Sequence, residues 1–181
     1  MEKEDLFETL ETERLLLRKI VDEDAETLYY NIYNNFSYFK FYYQIPFKNF
    51  DEYKALIEKY KEWYASGNHF RWGIVLKDTN EMIGIVQLHT KDTLNNNCKI
   101  GYIISYKHKN NGYGKEAVKE VINFGFKKLH FHRIDADIVN QNKASIKLAE
   151  GVGMHLESEK EDGYKLGEEY YNQKVYTIIN K

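Results

Sequence analysis

The chain has 181 residues, 43% hydrophobic and 30% charged, the balance of a globular protein with enough chain for a sizeable core. Its 26 basic and 28 acidic residues leave a formal net charge of −2, so no global basic field points to nucleic acid. One cysteine excludes an internal disulfide or a thiolate metal cluster, and neither an apolar signal core nor a membrane-length run is present, so a soluble, cytoplasmic protein is expected.

A first strand is expected over residues 14–20, where Leu15 and Leu17 alternate with Leu16, Arg18 and Ile20. Asp22 or Asp24 is placed to cap a helix in which Ala25, Leu28, Tyr29 and Ile32 recur at helical spacing. Residues 34–47 are aromatic and irregular and hold the only proline, Pro46. Asp51 then opens a second helix to about Ser66, with Tyr53, Leu56, Ile57, Tyr60 and Tyr64 on one face and Gly67-Asn68 ending it. Three antiparallel-looking strands follow at 70–77, 82–90 and 98–105, joined by turn formers at 78–81 and 92–97. Cys98 lies inside the third and reads as a buried structural thiol. A helix over 115–129 turns Val118, Val121, Ile122 and Phe126 inward. A strand at 133–139, a short helix at 144–150, a break at 151–153 and final strands at 154–161 and 169–180 around 162–167 complete the order. With no repeat or linker, this predicts one domain over 1–181, core about 12–178: an α/β fold with helices on both faces of a mixed sheet.

The stretch at 100–117 carries the chemistry. An apolar run, Ile100 to Ile104, stops at a polar loop that includes Ser105, Lys109, Asn110 and Asn111. Gly112-Tyr113-Gly114 and then Lys115-Glu116-Ala117 open a helix. First-turn amides of such a helix lack intrahelical partners and sit at the positive end of its dipole, which makes an anion site. Gly112 and Gly114 let the backbone take positive φ and approach a ligand, while Lys109 and Lys115 add charge, and the ligand this suits is a diphosphate. The spacing is neither that of a nucleoside-triphosphate loop nor the three-glycine dinucleotide fingerprint, and an ordinary strand-to-helix turn is the plainer alternative.

The order of motifs resembles the GNAT superfamily of acetyl-CoA-dependent N-acetyltransferases, and within it the Rim-type branch, whose founding members acetylate ribosomal-protein N-termini. The likeness rests on Thr12-Glu13-Arg14-Leu15-Leu16-Leu17-Arg18, Asp24-Ala25, Ile83-Gly84-Ile85, Ile100-Gly101-Tyr102 with Gly112 to Ala117, and a last set. That set runs from Phe124-Gly125-Phe126 through His132-Arg133-Ile134 and Asn142-Lys143-Ala144-Ser145 to Gly153-Met154. The resemblance implies the acyl-CoA N-acyltransferase fold, a mostly antiparallel sheet of about seven strands flanked by about four helices. It implies acetyl-CoA as cosubstrate and a primary amine, a peptide N-terminus or a small molecule, as acceptor. By the same resemblance the pyrophosphate loop is Lys109-Asn110-Asn111-Gly112-Tyr113-Gly114, with lysine where the family keeps glutamine or arginine. Ile103, Ile104 and Ser105 would pair with the pantetheine arm, Asn142 would contact it, and a backbone N–H near Ile104 would polarise the acetyl carbonyl.

One departure shapes the catalytic reading. Many relatives carry a tyrosine acid where this chain has Ala149, and in the Rim branch a serine one turn earlier, here Ser145, serves the departing thiolate. The alternative is that Ser145 caps its helix. For a base, His89 stands near a strand end, facing the acceptor cleft or lying on the surface beside Asp92. Glu157 stands where Rim-type relatives often keep an acid, and Asp135 and Asp137 share a strand face, either raising each other's pKa or pairing with Arg133 or nearby lysines. The histidines lack metal spacing, so no metal is expected. The acceptor mouth is expected between the first two helices and residues 36–47, whose low charge suits a peptide N-terminus or amino-acid-like amine over a polycation. Loss of the tyrosine at 149 leaves a non-catalytic acyl-CoA-binding regulator as the rival reading, and tyrosine-rich C-terminal strands leave a homodimer open.

Overall fold

The computed structural model describes residues 6–33, 41, 47, 49–67 and 69–181. Its core is one eight-stranded sheet in the order β1-β2-β3-β4-β5-β6-β8-β7. The strands are β1 (Leu10–Glu11), β2 (Leu15–Arg18), β3 (Phe70–Leu76), β4 (Met82–Asp92), β5 (Asn97–Ile104), β6 (Arg133–Val139), β7 (His155–Leu166) and β8 (Glu169–Ile179). The strand beyond the expected seven is β1, two residues long and too short for any periodicity to register. Neighbours are antiparallel except β5 and β6, which run parallel for three residue pairs only, Asn97↔Arg133 to Lys99↔Asp135. Beyond Lys99 the two strands part.

The helices are α1 (Ala25–Leu28), α2 (Phe50–Ser66), α3 (Tyr113–Lys127) and α4 (Lys143–Gly151). Expected as one regular helix, the first is a 3-10 turn (Asp22–Asp24), one α turn, then a π turn (Tyr29–Tyr33), yet Ala25, Leu28, Tyr29 and Ile32 are all buried as their spacing requires. Neither aspartate makes an N-cap side-chain bond; Asp24, third in the turn, supplies the carboxylate half of a capping box on Val21. Asp24 accepts from the Val21 amide at 2.9 Å and grips Arg18 with both oxygens at 2.7 and 2.8 Å, while Asp22 pairs with Lys61. Asn49 caps α2 through Glu52 N at 2.9 Å, and Gly67 closes it at φ 65°.

Two apolar layers sandwich the sheet. On one face α3 sets Val118, Val121, Ile122 and Phe124 against Leu15, Leu17, Trp72, Leu88 and Ile134. On the other, Leu28, Ile32, Tyr53, Ile57 and Tyr60 cover Val75, Ile85 and Ile103. Covered from both sides, β3 is buried at every residue, Arg71 included, and is otherwise apolar throughout. Cys98 is buried as expected, and burial pushes its thiol up to about 12, far from a nucleophile's range. The turn expected at 162–167 is mostly strand: β7 runs on to Leu166 through an irregularity that places Asp162 at φ 49°.

Candidate active site

Where β5 and β6 part, a cavity of about 1140 Å³ opens, lined by Ile100–Ile104 on one side and Ala136–Ile138 on the other. From Ile100 to Ile104, the strand that pairs with β5 among the described residues is β4. The cavity runs from the amino end of α3 to a group of aromatic and basic side chains on β3 and β4. Ile103, Ile104, Lys109, Asn110, Gly112, Tyr113, Gly114, Lys115, Asn142 and Ser145 all line it. Ser105 and Asn111 do not. Ser105 is buried, donating its amide to Ile83 O at 2.7 Å and bonding His108 Nδ1 at 2.7 Å through its hydroxyl. Asn111 braces the loop, donating to His108 O and Lys109 O. Both shape the loop from outside the cavity.

The loop is anchored by a distant part of the chain. Glu116, in the first turn of α3, accepts from Thr12 Oγ1 at 2.5 Å, from the Arg14 amide at 2.9 Å and from Arg14 Nε at 2.7 Å. Arg14 also donates to Asn111 O at 3.1 Å and lies 4.6 Å over the Tyr113 ring. Partial burial works against the Glu116 carboxylate, but the hydrogen bonds from Thr12 and Arg14 outweigh it and hold its pKa below the usual range. Gly112 caps α3 at φ 81° and Asn110 sits at φ 64°, so two left-handed residues turn the loop into the helix. Gly114, expected to share that conformation, is helical instead. A Cβ there would meet Leu148 Cδ1 at 2.9 Å and Ile104 Cγ1 at 3.3 Å, so its smallness lets α3 press against α4 and β5. Gly112 as cap also starts α3 at Tyr113, two residues before the position predicted.

The opposite wall was not legible as a motif. His69 stacks on Trp63 (centroids 4.6 Å, 3° between planes) and lies 6.0 Å from His89. Gln87 Oε1 accepts from Arg71 Nε at 2.8 Å and bonds His69 Nε2 at 2.9 Å. Arg71 is 5% exposed, donates to the Tyr60 hydroxyl, and spreads over the Tyr60 and Trp63 rings at 4.6 and 5.3 Å. Burial first, and then the Arg71 charge, lower His69 and His89 to about 4, so both are neutral at pH 7. His89 lines the cavity and bonds Thr90 Oγ1 at 2.8 Å; Asp92, its expected neighbour, instead caps its own turn through the Leu94 and Asn95 amides.

The other candidate acids are engaged. Lys99 holds Asp137 at 2.5 Å, and Arg133 pairs with both Asp135 and Glu157. Glu157 does not line the cavity. Ser145 does not cap α4: Asn142 Oδ1 takes that place, accepting from Ser145 N at 3.2 Å. The Ser145 hydroxyl meets the phenol of Tyr102 at 2.7 Å. Of the expected acceptor mouth at 36–47, all but Phe41 and Phe47 lies outside the described residues. Phe41 lines the cavity, and Phe47 packs on Tyr33 and Tyr53. Among the described residues no group of metal-ligating side chains occurs, and no helix is long and apolar enough to cross a membrane.

The cavity has the amino end of α3 with Lys109 and Lys115 at one end and β5 along its side. A model described as the acetyltransferase (GNAT) domain matches residues 14–155. The uncharacterized N-acetyltransferase YoaA of Bacillus subtilis is 30% identical over 174 residues, covering 96% of this chain and 98% of its own. The uncharacterized N-acetyltransferase p20 of Bacillus licheniformis is 32% identical over 151 residues, 83% and 84% of the two chains. Among solved structures, RimL, a ribosomal L7/L12 alpha-N-protein acetyltransferase in complex with coenzyme A, matches at TM-score 0.87 and 17% identity. That match covers 95% of this chain and 98% of RimL and is a likeness of fold.

Proposed function

The chain belongs to the GNAT family of acetyl-CoA-dependent N-acetyltransferases, and from that premise we propose that its acceptor is a peptide N-terminus or an amino-acid-like amine. The observation that carries this reading is the charge of the acceptor wall. Among the described lining residues the only carboxylate is Asp137, already held by Lys99 at 2.5 Å, while Arg71 and Lys99 bring positive charge. A polycation entering that wall would lose hydration and meet like charge, which costs several kcal/mol. A single amine beside a peptide group instead finds acceptors in neutral His69 and His89 and a donor-rich surface for carbonyls.

In this reading the main chain from Lys109 to Lys115 holds the pyrophosphate, with Gly112 setting the turn and the α3 terminus supplying amides. Lysine at 109 keeps the charge and gives up the planar fork, a small loss where amides do most of the binding. Ile103 and Ile104 lie along the pantetheine arm, with Asn142 across from them, and the Ile104 region polarises the acetyl carbonyl. Holding amine and thioester together supplies much of the rate increase. Ser145 hydrogen-bonds the departing sulfur. A homodimer through the tyrosine-rich β7–β8 ribbon belongs to the same proposal.

Thermal unfolding with acetyl-CoA, against adenosine, tests the cofactor half: a hundredfold excess over Kd is expected to add about 2.7 kcal/mol. CoA release with a short unblocked peptide and with spermidine tests the acceptor half. The peptide is expected to win in kcat/KM by tenfold or more, and a preference for spermidine would overturn the acceptor assignment.

A further inference from the structure

Tyr102 and Ser145 are 43 positions apart, one on β5 and the other in the first turn of α4, yet their hydroxyls lie 2.7 Å apart on the cavity wall. The Tyr102 phenol also reaches Ser145 O at 3.2 Å. Asn142 has taken over capping of α4, so the serine hydroxyl is not spent on its own helix. A phenol carries one hydrogen, and this pair therefore has two arrangements. In one, Tyr102 donates to Ser145 O and the serine hydroxyl donates back to the phenol oxygen. In the other, Tyr102 donates to Ser145 Oγ, and the serine hydrogen is released toward the cavity.

We propose that Tyr102 is the positioning residue of the acetyl transfer, switching its hydrogen bond to Ser145 Oγ so that the serine O–H points at the departing thiolate. The inference rests on the proposed placement of the thioester beside Ser145. In the step itself the amine nitrogen bonds to the carbonyl carbon, the carbon–sulfur bond breaks, and its electron pair leaves on sulfur. Ser145 donates a hydrogen bond to that sulfur, Tyr102 keeps its proton, and the proton shed by nitrogen is the one that ends on the CoA thiol. Growing charge on sulfur selects the second arrangement, because only there does a donor face it. Burial pushes the Tyr102 phenol up to about 12, the Ser145 bond pulling the other way, so it stays a donor through the working pH range. This route supplies a hydroxyl donor in a chain that has Ala149, fully buried in the core, at the position of the usual acid.

Tyr102→Phe, Ser145→Ala and the double variant, assayed by CoA release beside the wild type, test it. Tyr102→Phe is expected to lower kcat about tenfold, equivalent to about 1.4 kcal/mol, with both KM values and the acetyl-CoA thermal shift unchanged. Ser145→Ala is expected to lose at least as much, and the double variant no more than Ser145→Ala alone. Additive losses, an effect confined to KM, or full kcat in Tyr102→Phe would each overturn the inference. So would full kcat in Ser145→Ala, which decides the matter even if Tyr102→Phe does not fold. Wild-type protein lacking both turnover and a thermal shift would instead defeat the underlying reading of the cavity.

Discussion

The two ends of the cavity are built on opposite plans. The end proposed for the cofactor is nearly contiguous in sequence, from Ile103 to Lys115, and presents main chain at a helix terminus. The end proposed for the acceptor draws Trp63 from α2, Arg71 from β3, Gln87 and His89 from β4, Lys99 from β5 and Asp137 from β6. It works through side chains, and sheet register assembles it. Arg71 is the cross-strand partner of Gln87, and Gln87 of Gly101. The glycine leaves the room: a Cβ at Gly101 would lie 3.1 Å from Gln87 Nε2 and 3.4 Å from His89 Nε2. Binding through amides depends on backbone shape, and many sequences give that shape. Recognition through a buried side-chain network depends on each member satisfying the others.

The contrast predicts that damage at one end should leave the other working. Arg71→Met should have the largest effect, leaving Gln87 Oε1 and the Tyr60 hydroxyl short of a donor. Denaturant unfolding is expected to show about 3 kcal/mol of lost stability. Acceptor kcat/KM should collapse while the acetyl-CoA thermal shift persists, and loss of that shift as well would erase the division. Gly112→Val is the converse change, forcing a β-branched residue to φ 81°. A loss of about 1–2 kcal/mol and acetyl-CoA binding weakened about tenfold are expected, with acceptor KM unmoved.

The smallest effect separates the ends by pH. His69 and His89 titrate near 4 in the folded chain, whereas unfolded imidazoles titrate near 6.5. Between those values the unfolded state binds more protons, so stability is full above about pH 6.5 and declines as pH falls toward 4. The slope approaches about 1 kcal/mol per pH unit for each histidine. Urea unfolding at pH 7.5 and 5.5 should show that decline, and His69→Phe with His89→Gln should flatten it while leaving acetyl-CoA binding intact. An unaltered slope would mean the two rings are solvated.

Legibility in the sequence followed the same division. The glycine-bearing loop, the buried Cys98, the helix faces and the sheet's mixed character were readable because each depends on residues close in the chain or on a period. Thr12 and Arg14 were visible as part of a motif, but their task of clamping Glu116 was not. Ser145 was singled out for its chemistry, while its partner Tyr102 was legible only as part of a strand motif. Asp24 was legible as a capping residue, and its carboxylate does take the Val21 amide at the head of the turn, but its grip on Arg18 was not. For His89 the sequence left two places open, the cleft or the surface beside Asp92, and the structure puts it on the cavity wall.

By itself, the sequence determined which segments bury themselves, where the chain must turn, and that a glycine-capped helix terminus follows β5, since propensity, periodicity and glycine φ act locally. Only the tertiary structure decided that β5 and β6 part after Lys99, that Asn142 rather than Ser145 caps α4, and that Arg71, Gln87 and the two histidines form one network. Those outcomes hang on pairing between strands and on competition among distant polar groups for the same hydrogen bonds, and a linear pattern does not contain that competition.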